Sequence, residues 1–161
     1  MPHHASLPCY RDTVRADWVD YNGHLRDAFY MLIFSFATDS LIDQIGLPDA
    51  VRKARHRSIY TLEAHLNYLH EIKEGSQVRV DMRVIAHDAK RFHLYLEMFA
   101  DDGAEPVAAG EQMLLHVDTD GPRGAAFDPD ITANLRALAE AQASLPAAKF
   151  AGRTIGLPVK T

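Results

Sequence analysis

Cysteine is scarce in this sequence: Cys9 is the only one among 161 residues, so no internal disulfide can form and a cytoplasmic, reducing compartment is expected. Long apolar runs are also missing, because the most hydrophobic stretch, residues 28–37, has about half the length needed to span a bilayer. The first twenty residues lack the apolar core of a secretory signal. We therefore expect neither a targeting segment nor a membrane partner.

Excess positive charge is absent as well. The 17 basic residues are outnumbered by 22 acidic ones, and the net charge of −5 argues against a nucleic-acid partner. The nine histidines show no zinc-binding spacing, which predicts that there is no metal site. Residues 121–124 lack the strand–loop–helix context of a phosphate-binding loop, and Cys9 has no histidine paired with it in the sequence.

What the sequence does contain is the composition of an ordinary globular protein, with 47% apolar and 24% charged residues. Repeats, low-complexity tracts and flexible linkers are not found. The length fits one domain, so we predict a single domain over residues 1–161. Its last part is expected to be a polar helix at about residues 130–143, followed by an irregular tail.

A long apolar helix is predicted over residues 23–45. Asn22 is the expected N-cap, because its side-chain oxygen can accept a hydrogen bond from a free amide at the helix start. Gly46 and Pro48 are expected to end the helix. Two apolar stripes leave little room for a solvated face, so protein should surround its middle. The stripes are Leu25, Phe29, Leu32 and Phe36, and Tyr30, Phe34, Ala37, Leu41 and Ile45.

Alternating apolar and polar residues predict strands in much of the rest of the chain. We expect an extended segment at residues 10–18, a short helix at 49–55, and consecutive strands at 60–68, 78–84, 92–98 and 107–117. One long central helix wrapped by one curved antiparallel sheet is the α+β fold that buries such a helix. A single sheet leaves its edges exposed, so dimerisation through the sheet is predicted.

A candidate catalytic segment lies just before the long helix, at residues 17–24. Asp20 precedes the expected helix start, where the amides of Gly23, His24 and Leu25 would lack intrahelical acceptors. Such amides, with the helix dipole, can bind a carbonyl oxygen and stabilise an oxyanion. The same positive field keeps Asp20 ionised, as a nucleophile or as a general base for water. The alternative is that Asp20 and Asn22 only cap the helix.

This segment, Asp20-Tyr21-Asn22-Gly23-His24 leading into a long apolar helix and a meander of strands, resembles the hotdog-fold acyl-CoA thioesterases of the 4-hydroxybenzoyl-CoA thioesterase type. The resemblance covers roughly residues 14–118. It implies that Asp20 is the catalytic carboxylate and that the backbone amides of Gly23 and His24 hold the thioester carbonyl. The family usually continues with Val-Asn-Asn, whereas this chain has Leu25-Arg26-Asp27, which leaves the acyl pocket undefined.

Further stretches, at residues 18–24, 37–39, 111–118 and 152–156, resemble thioesterases of carnitine breakdown, which hydrolyse betainyl-CoA to glycine betaine and coenzyme A. A trimethylammonium group is bound by aromatic faces, often beside a carboxylate. Trp18 and Tyr21 flank Asp20, and Tyr30 follows in the helix, so we predict that these aromatics and Asn22 contact the substrate. The alternative for the aromatic residues is a place in the core or in a dimer interface.

Three more sets of residues are candidates for the site. Glu63, on the polar face of its strand, could approach the Asp20 of a partner subunit in a dimer; the alternative is a solvated strand face. Lys90 and Arg91, or the basic cluster at residues 52–57, could bind the coenzyme A phosphates, since arginine matches phosphate geometry. The alternative for these basic residues is ordinary surface.

We therefore predict an acyl-CoA thioesterase that acts as a homodimer or homotetramer. Coenzyme A is part of the substrate, and no separate cofactor is expected. A hydratase or dehydratase of the same fold would need a His–Asp acid–base pair, for which only Asp20 and His24 are available. The sequence is also compatible with a non-catalytic acyl-CoA-binding protein and with a purely structural partner protein.

Overall fold

The computed structural model describes residues 7–160, and one antiparallel sheet wrapped around one long helix dominates it. The strands are β1 (Cys9–Thr13), β2 (Arg57–Tyr68), β3 (Gln77–His87), β4 (Arg91–Ala100), β5 (Ala108–Asp118) and β6 (Arg123–Gly124). The helices are α1 (Asp27–Gln44), α2 (Asp49–Arg55) and α3 (Pro129–Gln142). The predicted α+β arrangement is confirmed.

The strand order is β1-β3-β4-β5-β2, with the short β6 paired to β5. Register shifts at Thr61/Glu63 in β2 and at Val84/Ala86 in β3 bend the sheet, as bulges do. Gly110 of β5 lets the sheet approach the helix closely, because a Cβ there would lie 3.0 Å from Phe34 Cε2. The strand β2, at one edge of the sheet, therefore curls around α1.

The apolar surface of α1 is covered unequally. Tyr30, Phe34, Ala37 and Leu41 are buried against the sheet, whereas Phe29, Leu32 and Phe36, which belong to the other predicted stripe, are only half-buried. Gly46, with φ of 104°, ends this part of the chain in the left-handed region, as expected for a helix stop. The predicted stripe that contains Phe29, Leu32 and Phe36 is thus only partly covered by protein in a single chain.

The beginning of α1 differs from the prediction. The helix starts at Asp27 with Arg26 as its N-cap, four residues after the predicted start, and Asn22 does not cap it. The predicted first strand is also shorter, because β1 ends at Thr13 and a 3-10 turn follows at Ala16–Trp18. The physical reason is that residues 19–25 fold back on themselves, with an isolated bridge between Val19 and Leu25.

The C-terminal part of the chain closes the fold. Gln142, at the end of α3, bonds to the β3 backbone through Val84 N (3.0 Å) and Met82 O (3.1 Å). Residues 146–158, which we call the C-terminal strap, then cross the outer face of the sheet. Pro146 O accepts a hydrogen bond from the Arg83 side chain of β3. The Phe150 amide donates to the Tyr95 hydroxyl of β4, and the Gly152 amide donates to the Glu111 carboxylate of β5. Residues 153–158 of the strap end beside β2.

No helix in the described part of the chain combines the length and the apolar character that membrane crossing requires.

Candidate active site

The loop before α1 is a tight turn that holds Asp20. The Asp20 amide donates to His24 O, and the Gly23 amide donates back to Asp20 O, both at 2.9 Å. Gly23 has a φ of 76°, a conformation that other residues rarely adopt, so the turn itself requires glycine here. The loop is joined to the rest of the protein by Leu25, whose amide donates to Ile72 O at 2.9 Å.

The Asp20 carboxylate is fixed by two backbone amides. Its Oδ1 accepts hydrogen bonds from Asn22 N at 2.8 Å and from His24 N at 3.2 Å. Partial desolvation raises the pKa of Asp20, but these two bonds and the nearby positive charges of His24 and Arg26 lower it more, so the pKa lies below its ordinary value. Both bonds use Oδ1, and Oδ2 accepts neither of them.

The predicted free amides at Gly23, His24 and Leu25 are not free. They donate to Asp20 O, Asp20 Oδ1 and Ile72 O, respectively, and none of them belongs to the helix. That expectation was wrong because it depended on a helix start at residue 23. The His24 and Asn22 amides hold the carboxylate.

The helix terminus that can receive a ligand lies at Asp27, the first residue of α1. The first amides of a helix have no intrahelical acceptor. Of these, the Ala28 amide donates to Asp27 Oδ1 at 2.9 Å, and the Phe29 amide donates to Arg26 O at 3.0 Å. The Asp27 amide is thus the amide in this first turn for which the structure gives neither a side-chain nor a loop acceptor.

The aromatic residues predicted to contact substrate differ in their exposure. Trp18 is buried, stacks on Phe29 at 6.0 Å between ring centres, and carries the Arg15 guanidinium over its ring. It therefore lies in the core, which is the alternative considered for it, with the Arg15 cation on its ring, and its contact with substrate stays a prediction. Tyr21 is 93% exposed, and the exposed Asn22 donates its amide to Asp20.

Tyr30 is buried in the first turn of α1 and forms one wall of a small cavity with Tyr68, the last residue of β2. The two rings lie 5.2 Å apart at an angle of 89°, so the edge of one meets the face of the other. The Tyr30 hydroxyl donates to His70 O at 3.1 Å, and the Tyr68 hydroxyl donates to Asp27 O at 3.3 Å. Tyr68 was not among the predicted site residues, although it lies in the alternating pattern of its strand.

Acidic and imidazole groups surround the entrance to α1. His24 Nδ1 lies 3.5 Å from Glu71 Oε2, and a backbone bridge joins His24 to Lys73. Because Asp20 Oδ1 accepts from the backbone of His24 and not from its ring, the imidazole is oriented toward Glu71. The structure thus brings Asp20, His24, Asp27 and Glu71 to one end of α1.

Glu63 lies elsewhere in the chain. Gln112 of β5 faces α1, where its Oε1 accepts from Thr38 at 2.7 Å, so its neighbours Glu111 and Met113 face outward. Glu63 pairs with Met113 and lines an outer cavity of about 520 Å³ beneath the strap. Within this cavity Glu111 bridges His93 Nε2 (2.8 Å) and the Gly152 amide (2.9 Å). The same-chain Asp20 does not line this cavity.

Most of the basic residues predicted to bind phosphates have a carboxylate partner within the protein. Arg91 makes two bonds to Asp88, at 2.8 and 2.6 Å, and Lys90 packs beside Gly124. Each basic residue of the cluster at 52–57 meets a carboxylate: Arg52 with Asp43, Lys53 with Asp49, Arg55 with Asp128 and Asp130, and Arg57 with Asp118. Within residues 7–160, no group of three or more His, Cys, Asp and Glu side chains could hold a metal ion.

Comparison with known proteins agrees with this geometry. The thioesterase-like superfamily matches residues 14–135. A betainyl-CoA thioesterase from Pseudomonas aeruginosa is 50% identical over 152 residues, which are 94% of this chain and 96% of that protein.

Two solved structures show the same fold. A candidate thioesterase from Pseudomonas putida has 48% identity and a TM-score of 0.82, covering 93% of this chain and 96% of its own. A Staphylococcus aureus protein solved in complex with CoA has 27% identity and a TM-score of 0.89, covering 94% and 96%. The predicted hotdog fold and thioester hydrolase activity are confirmed, and the chain belongs to the thioesterase-like superfamily.

Proposed function

We propose that this protein hydrolyses betainyl-CoA to glycine betaine and coenzyme A. The observation that carries the proposal is its 50% identity, over nearly the full length of both chains, to a betainyl-CoA thioesterase. The site geometry supports it, because a carboxylate held by two amides lies at the entrance of a helix of 18 residues. A carboxylate and a helix N-terminus are what thioester hydrolysis needs.

The proposed reaction begins when the thioester carbonyl oxygen binds the Asp27 amide, where the helix dipole stabilises negative charge that develops on that oxygen. Asp20 Oδ2 then attacks the carbonyl carbon or removes a proton from the water that attacks it. The C–S bond breaks, and coenzyme A leaves as a thiolate. In the first route, water subsequently hydrolyses the mixed anhydride and restores Asp20. Gly23 and His24 act by shaping the loop and holding Asp20.

A single turnover in ¹⁸O-labelled water separates the two routes. Direct attack by Asp20, followed by attack of water on Cγ of Asp20 in the mixed anhydride, gives a product whose new oxygen comes from the carboxylate, and the label appears in the enzyme. Attack by water places the label in glycine betaine at once. A peptide containing residue 20, analysed by mass spectrometry, distinguishes the two outcomes.

We infer that the functional unit is a homodimer formed through β2. This strand is a sheet edge that pairs only with β5 among the described strands, and Tyr60 and Leu62 on it are 46% and 52% exposed. An exposed apolar edge strand invites pairing with a second strand. The strap ends at the same edge, where its apolar residues Ile155 and Leu157 are 89% and 95% exposed. A second copy would cover the exposed apolar residues of both β2 and the strap. Glu63 would then lie close to that copy.

The phosphates of coenzyme A remain assigned to Lys90 and Arg91 in this proposal, with Arg91 shared between the ligand and Asp88. A cytoplasmic location is part of the same proposal and fits the single cysteine, Cys9. Tetramer formation is an alternative outcome of the measurement of oligomeric state.

The test is release of free thiol from purified protein given a panel of acyl-CoA substrates and a thiol-trapping reagent. Betainyl-CoA is expected to have the highest kcat/KM, above 3,3-dimethylbutanoyl-CoA, in which carbon replaces the cationic nitrogen. Hydrolysis with a preference for another acyl group would overturn the betainyl assignment. Binding of acyl-CoA without thiol release from any substrate would show a non-catalytic binding protein.

A further inference from the structure

A cavity of about 250 Å³ lies between the first turn of α1 and the end of β2. Its aromatic walls are Tyr30, 4% exposed, and Tyr68, 53% exposed, so Tyr68 is the ring that a ligand would contact. The buried Leu25 adds an apolar surface. This volume is below the range typical of pockets for drug-sized ligands, which indicates a compact occupant.

The rim of this cavity is acidic. Asp27 and Glu71 both line it together with His70, and no lysine or arginine is found among the described residues that do so. The His24 ring lies 3.5 Å from Glu71, so within residues 7–160 Asp27 supplies the carboxylate with no basic side chain beside it. Burial and then the negative charge of Asp27 raise the pKa of Tyr68, and burial together with Glu71 raises the pKa of Tyr30. Negative charge therefore acts at both phenol groups, and a cation would be favoured there.

We propose that this cavity holds the trimethylammonium head of the acyl group, an inference that rests on the proposed function. In betainyl-CoA one methylene group separates the cationic nitrogen from the carbonyl carbon, so the head must lie beside the amide that binds the carbonyl. Asp27 satisfies both requirements, because it supplies that amide and lines the cavity. An aromatic ring with carboxylates nearby is the recognition mode expected for a quaternary ammonium ion.

Placing a cation near a helix N-terminus has an electrostatic cost, since that end of α1 is positive. The carboxylates of Asp27 and Glu71 at the cavity, and of Asp20 in the adjacent loop, offset it. In this proposal the thioester carbonyl uses the positive end of the helix, and the acidic residues beside it make the same region able to bind a cation. Tyr68 is thus a specificity residue, and Glu71 a second one.

The test compares kcat/KM for betainyl-CoA with that for 3,3-dimethylbutanoyl-CoA in a set of variants. Tyr68→Leu is expected to lower this ratio about tenfold, while Tyr68→Phe, which keeps the ring, changes it by less than about twofold. Glu71→Gln is expected to lower the ratio about threefold, because the partly exposed charge is screened. Glu74→Gln is the matched control, since Glu74 is exposed in the same loop but does not line the cavity.

A second measurement uses tetramethylammonium as an inhibitor of whichever acyl-CoA hydrolysis the protein shows. Weaker inhibition in Tyr68→Leu and in Glu71→Gln supports the cavity assignment. If wild type prefers betainyl-CoA but neither variant changes the ratio or the inhibition, the cavity assignment is wrong and the proposed function stands. If wild type does not prefer betainyl-CoA, the proposed function is wrong. Because Glu71 is exposed, its variant keeps the test valid even if Tyr68→Leu fails to fold.

Discussion

The Arg15 guanidinium lies 4.4 Å from the centre of the Trp18 ring. The ring is buried and also stacks on Phe29, at an interplanar angle of 17°. Trp is the aromatic residue that binds cations best, but here the protein's own cation occupies it. The only tryptophan in the sequence therefore stabilises the segment before Asp20, and in the proposed function we expect other aromatic rings to bind the substrate cation.

Replacing Trp18 with Phe is expected to affect stability and leave selectivity unchanged. The smaller ring loses buried area and weakens the contact with Arg15, which should lower the free energy of unfolding by about 1 to 2 kcal/mol. The ratio of kcat/KM for betainyl-CoA and 3,3-dimethylbutanoyl-CoA should stay at its wild-type value. Urea denaturation and steady-state kinetics measure the two effects, and a lost betainyl preference at unchanged stability would place Trp18 in the substrate site.

Asp20→Asn is expected to reduce kcat by roughly 10²-fold or more, with a modest change in KM, because the carboxylate acts mainly in the transition state. The amide side chain can still accept the bonds from the Asn22 and His24 backbone, so the loop should stay folded. Asp17→Asn, at an exposed position in the same segment, is the control. Turnover close to that of wild type in the Asp20 variant would remove Asp20 from the mechanism.

The dependence of kcat/KM on pH follows from the lowered pKa of Asp20, because kcat/KM reports the ionisation of the free enzyme. The ionised carboxylate is the active form, and its pKa lies below the ordinary value of 3.8, so activity should be lost only as the pH falls below that value. In Arg26→Gln a nearby positive charge is removed, the pKa rises, and the acidic limb should move to higher pH.

Rates measured at low and high salt provide a further check of this pH prediction, since salt screens the charge of Arg26 and should reduce the difference from wild type. Circular dichroism at each pH confirms that the protein is folded. An acidic limb in wild type well above pH 3.8 would contradict the assignment of Asp20 as the titrating group.

Gly110→Ala tests how closely the sheet packs on the helix. The added Cβ would lie 3.0 Å from Phe34 Cε2, so the core must shift, and we expect a loss of about 1 to 3 kcal/mol in the free energy of unfolding. Gly121→Ala is the control, since a Cβ there meets nothing within 4 Å, and its stability should be equal or slightly higher. Equal stability of the two variants in urea would contradict the described packing.

Deleting residues 153–161 tests the role of the strap in assembly. The deletion removes Ile155 and Leu157, whose exposed side chains we assign to contact with a second copy, and the exposed Val159 that follows the strap. The truncated protein should therefore form a weaker dimer. Its dimer dissociation constant, measured by sedimentation equilibrium, should be larger than that of the full chain. The triple variant Ile155→Ser, Leu157→Ser and Val159→Ser should reproduce the effect. A full chain that is monomeric at all concentrations would overturn the dimer.

The order of helix and strands could be predicted because it depends on local periodicity. Alternation in residues 78–84 and 92–98 located β3 and β4, and Gly46 with Pro48 located the end of α1. The start of α1 was predicted four residues too early, since the bonds that hold residues 19–25 as a turn reach Ile72 and Lys73, which are distant in sequence. Local propensity carries no information about such contacts.

The site was predictable in part for a similar reason. Asp20 was identified from a local motif, and the structure places it beside the helix entrance. Tyr68 and Glu71 come from a different strand and loop, and only the folded sheet brings them to Asp27. The path of the strap could not be predicted either, because its contacts with Tyr95 and Glu111 are single hydrogen bonds that leave no periodic pattern.

The two amides that hold Asp20 Oδ1 have a stereochemical consequence. A carboxylate anchored through one oxygen cannot spin freely about its Cβ–Cγ bond, so its two oxygens are inequivalent. In the proposed mechanism the carbonyl oxygen is bound at the Asp27 amide, so the planar thioester presents the same one of its two faces to Oδ2 in every encounter. The direction of attack is then set by the loop that holds Asp20, before the substrate arrives.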